Sequence, residues 1–505
     1  MASTVEQIAG WASELDAASV PRRVSELCAA QRRSIAAAIA VSAGDGPGRR
    51  VAAGVQSWAA PGPAPLVGGD RDQRVRVEDA LYAAAALSVA QDYDDYLCFA
   101  HSGHTSVLVP WVLGHETAAD DDGRLVAQVA ANEIAARLGG ACLIGPLNGQ
   151  MWSFVHAAAA SIASGLLLGL GARELAHALA IALSAVPRPL VPGFMAPDTK
   201  LLTASEPALL GLRAARLAAA GVTGPLDVLD HPRGFLWAFA YAPLPRLLGN
   251  LGTGWATTTL CVKPYPGCAY IDTSIDALEA LGQIEAEAVA GVDVQAGMLT
   301  TAMDALSRGF TDGMPTPVTV NFSVPWSVAV HLVAGRLSPA EVTAGWLAAH
   351  HHELRALAGR VRLQHDWAAT TRSAEAFARV LPPAVFAGVG PRRLASGLRR
   401  VRRTHPTAPL GFGGMMAIAD LLRAAPRSAR YTSGRAWDPH ELETFSMTFP
   451  ARLKVTFADG RSVEAEAAVP RGGCGSDVLP PAAAAARKYA DWVGDAAAGG
   501  DWDLA

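Results

Sequence analysis

The chain has 505 residues, a net charge of −4, and 51% hydrophobic against 17% charged residues. This composition excludes disorder over most of the length and a general nucleic-acid binder, which would be basic. The length predicts two or three domains at roughly 100–200 residues each, and six scattered cysteines without a CxxC pair fit a reducing compartment with neither a zinc nor a disulfide framework.

In chain order, the N-terminal stretch carries acids and no apolar core of a signal peptide. Segments 75–91, 123–138, 153–170, 172–186 and 206–220 read as helices, the second from its i, i+3/i+4 stripe of Leu125, Val126, Val129, Ala130, Ile134 and Leu138. Thr203 and Ser205 are candidate caps for the last of these. The greasiest stretch, 157–170, is shorter than the ~20 apolar residues a membrane span needs. The expectation is therefore a cytoplasmic protein with no membrane contact. Beyond residue 260 the pattern changes. Segments 292–295, 317–322 and 360–364 read as strands, with a helix at 338–357 between the last two. Segments 449–457 and 461–469 flank an Ala-Asp-Gly turn and read as a hairpin, and 480–493 reads as a final helix. An Arg/Pro-rich stretch at 365–440 reads as a solvated helix face, with anion binding as the alternative.

Three places carry chemistry. Asp92-Tyr93-Asp94-Asp95-Tyr96, followed by His101 and His104, puts three carboxylates and two imidazoles within 13 residues. Such a cluster can pair an acid with a base or bind a metal, but no HExxH-like ligand spacing is present. The other two places contain lysines. Of 42 Lys and Arg residues only four are lysine (Lys200, Lys263, Lys454, Lys488), leaving 38 Arg. A coding bias toward Arg accounts for the excess. A lysine that survives such a bias is enriched for positions where a compact or deprotonatable amine is required, because Arg keeps its charge and is planar.

Taken together these stretches resemble the MmgE/PrpD family, which includes 2-methylcitrate dehydratase, cis-aconitate decarboxylase and iminodisuccinate epimerase. DYDD…HTS…P resembles the family's D-F-D-D-T…H-P-S…P. Lys200 with Gly211, and GVTGP at 221–225, is similar to T-K-x-x-H-x-G…G-x-T-G-P. Lys263-Pro-Tyr-Pro-Gly-Cys268 with Ile275-Asp276-Ala277 matches K-P-Y-P-x-C…I-D-A. The 322–329 segment FSVPWSVA resembles F-S-x-x-Y-x-V-A, and 449–460 matches a late strand pair. The blocks are collinear over about residues 75–495.

The resemblance implies a mainly α fold: a large all-helical domain (1–260), a smaller α/β lid (263–470) and a C-terminal helix (471–505) returning to the helical domain. It implies a homodimer acting on a small molecule, with no metal and no redox cofactor. Asp92, His104, Lys200 and Lys263 are the implied catalytic set, with Asp92 holding His104. Tyr96, Asp95, His101, Gln150, Met151, Trp152, Cys268, Asp272 and Trp326 are the implied substrate contacts. His101 competes with His104 for the family's histidine slot, because the spacing from Asp95 is longer than usual.

Several positions depart from the pattern. The family histidine expected near Gly149 is absent, with Gln150, Met151 and Trp152 there instead, and His156 lies too far along to replace it without remodelling. Two further family histidines are Thr203 and Asp272. A di- or tricarboxylate needs several cationic or donor groups, and this chain has lost up to three imidazoles and gained an acid and bulky apolar groups. The expectation is a lyase or isomerase repurposed for a larger, less charged, carbonyl-bearing metabolite of polyketide type. The rivals are an ordinary dehydratase or decarboxylase of the family and a non-catalytic binding protein on the same fold.

Overall fold

The computed structural model describes residues 2–44, 46–68, 73–146, 149–310, 314–381, 383–386, 389–404 and 438–494. The helices fall where the apolar spacing places them. Ser153–Leu167, whose first thirteen residues are all buried, is the central element. Asp121–Ala141, Ala172–Ser184 and Ser205–Ala219 pack around it. Small residues permit the close approach. A Cβ on Gly211 would lie 2.5 Å from the Ala157 carbonyl oxygen and 2.5 Å from the Ala160 methyl, so only glycine fits. Val77–Val89 lies between Ser205–Ala219 and Arg22–Ala43, and the last helix, Pro481–Trp492, packs on Arg22–Ala43. No described helix is long and apolar enough to cross a membrane.

The second apolar cluster is built on a four-stranded sheet in the order Val361–His365, Val289–Ala296, Ala451–Phe457, Ser462–Ala467. The first pair is parallel and the others antiparallel. Alternation points Ala451, Leu453 and Val455 inward, against helix Ala269–Ala280. Each fully buried Leu or Val contributes about 1.5–3 kcal/mol. The molecule is thus mainly α, with a helical body and a smaller α/β part.

Three local expectations need correction. Segment 317–322 is not a strand. Pro317–Val320 is a helical turn opened by a Thr316/Thr319 capping box with Pro at its first position, and helix Val324–Ala334 follows. Capping and proline outweigh the β-branched composition there. The helix at 338–357 is split into Ala344–Ala349 and His351–Ala358 at His350. Neither Thr203 nor Ser205 caps its helix: their hydroxyls donate to the carbonyls of Lys200 and Tyr82. Within the helical body a small antiparallel pair, Pro61–Pro65 with Arg74–Val75, was not foreseen. In the Arg/Pro-rich stretch, Pro391–Thr404 is a helix with Arg392, Arg393, Arg399, Arg400, Arg402 and Arg403 exposed, and 405–437 lies outside the described residues.

Candidate active site

A two-residue strand assembles the site. Helix Val77–Val89 ends and the chain turns through Asp92, which holds a left-handed φ of 53°, an unusual conformation for a non-glycine residue. Asp95–Tyr96 then pairs antiparallel with Cys261–Val262, so that Lys263 N donates to the Asp94 carbonyl. Gly267, at φ 135°, donates its N–H to the Asp92 carbonyl. Two segments more than 160 residues apart are thereby stitched together, and Lys263 is carried into the acidic turn.

Its ammonium is fully buried. It donates to Asp92 Oδ1 at 3.0 Å and to the Asp92 carbonyl at 3.1 Å, and lies 2.5 Å from Asp94 Oδ1. Burial pushes the Lys263 pKa down, but Asp92 and Asp94 outweigh it and the net shift is upward. Lys263 is a fixed cation.

Asp94, which the sequence reading passed over, is the hub. Its Oδ2 is 2.7 Å from His101 Nδ1 and 3.0 Å from His104 Nε2, and accepts from Gln150 Nε2 at 3.3 Å. Burial raises this carboxyl, yet Lys263 and His101 hold it well below the ordinary range. The partner of His104 is therefore Asp94 and not Asp92, which turns toward the lysines. The other ring nitrogen of His104, Nδ1, is 2.8 Å from Ser88 Oγ. Both His101 and His104 share the carboxylate, so the two candidates form one pair. His104 is buried, with Nδ1 against Ser88 and Nε2 3.0 Å from the Asp94 carboxylate, while the His101 side chain keeps 15% exposure. Burial, partly offset by Asp94, lowers the His101 pKa. His156 belongs to the same group: the first turn of its helix puts its ring 5.7 Å from that of His104, and burial pushes its pKa far down. No remodelling is needed to bring it there.

Lys200 sits on the 3₁₀ turn Asp198–Thr203 and is also fully buried. Among the described residues its Nζ has no hydrogen-bond partner; Asp92 Oδ1 is 3.7 Å away. Phe322 and Phe194 present their rings at 5.0 and 6.0 Å. Burial lowers the Lys200 pKa, Asp92 opposes this and Lys263 adds to it.

The remaining expected residues divide. Tyr96 stacks on His101, and its buried hydroxyl has no hydrogen-bond partner among the described residues. Met151 and Trp326 join Phe194, Met195 and Phe322 in one apolar cluster with Cys268. Burial pushes the Cys268 thiol up to about 12, so it is no thiolate nucleophile. Asp95 faces away from the lysines, accepting from Gln31 in a buried network with Ser102 and Asn132. Burial and Asp94 raise its pKa to about 7. Trp152 packs with Phe154 in the helical core, which makes it a structural residue. Asp272 is buried and its pKa is raised well above the ordinary value by burial first and Asp276 second. Its ionised form is therefore disfavoured, which opposes the extra negative charge expected from sequence. Phe194, outside the family motifs, and Phe322, which opens the FSVPWSVA segment without an expected role, join the site as residues the sequence reading lacks.

The donor atoms of Asp94, His101 and His104 lie within 4.8 Å of one another, a grouping that could hold a divalent ion. The Lys263 ammonium at 2.5 Å from the same carboxylate opposes a second cation there. The arrangement can move a proton through a carboxylate-oriented imidazole, beside a fixed ammonium suited to a developing oxyanion.

Family models for the MmgE/PrpD N-terminal domain and the MmgE/PrpD C-terminal domain match residues 6–246 and 265–383. No curated protein matches the chain.

Proposed function

This chain belongs to the MmgE/PrpD family, whose members are generally lyases and dehydratases, and on that premise we propose a lyase or isomerase that moves a proton next to a substrate carbonyl. His104, oriented by Asp94, takes the proton, with His101 on the more open side as its relay. Lys263 stabilises the enolate oxygen. The observation that carries the reading is the single Asp94 carboxylate shared by His101, His104 and Lys263.

The substrate class follows from what faces Lys200. Phe194 and Phe322 present their rings to it and belong to the same apolar cluster as Trp326 and Met151, and Asp92 and Asp94 already engage the two site lysines. A tricarboxylate would find few unpaired cations, whereas a larger carbonyl compound of polyketide type would bury apolar surface. Elimination, cyclisation or rearrangement are the reactions open to such an enolate. The reading carries with it a cytoplasmic homodimer acting on a small molecule without a redox cofactor. A turnover assay tests it: 2-methylcitrate and cis-aconitate should be processed negligibly, and dehydration or decarboxylation of either at ordinary enzymatic rates would return the chain to the family's usual acids.

A further inference from the structure

Lys200 and Lys263 are both fully buried, but their surroundings differ in kind. Lys263 has two carboxylates and a carbonyl around its ammonium. Lys488, the third buried lysine, has Ser34 Oγ at 3.0 Å, the Tyr93 carbonyl at 2.9 Å and the Asp94 carbonyl at 3.5 Å, neutral acceptors that occupy its N–H groups. Lys200 has no acceptor within hydrogen-bond distance among the described residues. Phenylalanine rings lie near it, and the closest carboxylate, 3.7 Å off, is already bonded to Lys263. The ring faces and the Asp92 carboxylate hold its ammonium only loosely, and no hydrogen bond fixes the third proton among the described residues. A desolvated amine beside another fixed cation is the setting in which lysine becomes a nucleophile toward carbonyl carbon.

We propose that Lys200 is a covalent catalytic residue that forms an iminium with the carbonyl of the substrate. This deepens the proton-transfer reading and rests on its carbonyl-bearing substrate. The lone pair of Nζ attacks the carbonyl carbon, and the C=O π pair moves to oxygen, which takes up a proton. The carbinolamine then expels its hydroxyl as water, protonated from the imidazoles held by Asp94, so that amine, ketone and one proton become iminium and water. The positive nitrogen next accepts the electron pair released when His104 removes the neighbouring α-proton, giving an enamine. Hydrolysis of the iminium after the bond change returns the amine and a carbonyl product. In this scheme the enamine takes the place of the enolate, and Lys263 keeps its charge throughout and steadies the oxygen of the carbinolamine until it leaves as water.

The small number of lysines makes the test direct. A β-diketone, 2,4-pentanedione, condenses with a neutral amine to a stable, ultraviolet-absorbing enaminone, and peptide mass mapping then locates it. At pH 7 the adduct is expected on Lys200 ahead of the exposed Lys454, since burial disfavours the charged form and favours the free amine. Lys263→Arg should retain the Lys200 adduct, and Lys200→Arg should lose it while keeping the wild-type circular dichroism. Mapping of the unmodified wild type decides the matter even if a variant fails to fold. Modification confined to Lys454, Lys488 or the N-terminus, with Lys200 unmodified, overturns the proposal. If that result accompanies intact turnover of a carbonyl substrate, only the covalent step is lost. A Lys200 adduct without such turnover leaves the nucleophile standing and removes the substrate reading instead.

Discussion

Lys488 provides a test of the buried charge network that needs no substrate. Its ammonium is 2% exposed and, among the described residues, bonded to neutral acceptors alone, so burial, against the weaker pull of Asp94 and Asp95, lowers its pKa to about 7. In the unfolded chain the value returns to ~10.4. Between these two values the unfolded state binds more protons than the folded state, so stability contributed by this group rises with pH at up to ~1.4 kcal/mol per unit. Below pH 7 the penalty is fully present, and by pH 10 most of it has gone, a change of about 4 kcal/mol across the window. Lys488→Met removes the titration and keeps most of the side-chain volume. Urea midpoints of wild type and variant at pH 7, 8, 9 and 10 give the difference, in which the other titrating groups largely cancel. The wild type should gain on the variant steadily as pH rises. A difference independent of pH across that window would mean that Lys488 is not a desolvated cation, and the reasoning applied to the buried lysines would fail with it.

Three further outcomes follow from the same geometry. Asp94→Asn removes the carboxylate shared by His101, His104 and Lys263, and should lower kcat by about 10²–10⁴, the usual worth of a general base, with a smaller change in KM; Asp95→Asn, turned toward Gln31, should cost much less in a parallel kinetic assay. Gly211→Ala forces a methyl to 2.5 Å from the Ala157 carbonyl oxygen and should destabilise by about 1–3 kcal/mol in urea unfolding. Chelator treatment should leave activity unchanged, and a loss restored by a divalent ion would assign Asp94, His101 and His104 to a metal instead.

The lysine scarcity and the K-P-Y-P stretch singled out Lys200 and Lys263 in the sequence, and the fold class came from the family resemblance together with the change from helical spacing to alternation near residue 260. The assignment within D-Y-D-D was not. Three carboxylates in four positions are equivalent on paper, and what separates them is the left-handed turn at Asp92 and the pairing of Asp95–Tyr96 with Cys261–Val262. Neither feature leaves a local signal, because both depend on a strand partner more than 160 residues away. His156 was discounted by counting positions along the chain, although one helical turn suffices to bring it beside His104. Trp152 shows the converse: its place next to the site in sequence drew attention, while its ring turns into the helical core. Lys488 was singled out with the other lysines and left unassigned, since only the packing of the last helix on Arg22–Ala43 reveals that it sits beneath the acidic turn.

The claim at the centre of this account is proton transfer beside a carbonyl by the Asp94-oriented His104. The most direct measurement is deuterium wash-in from D₂O at the α-carbon of a β-hydroxy ketone, followed by proton NMR with wild type and His104→Ala. The wild type should exchange one α-hydrogen stereospecifically, and the variant should lose about 10²–10⁴ of that rate. Exchange no faster than buffer in the wild type, or equal exchange in both proteins, would contradict it.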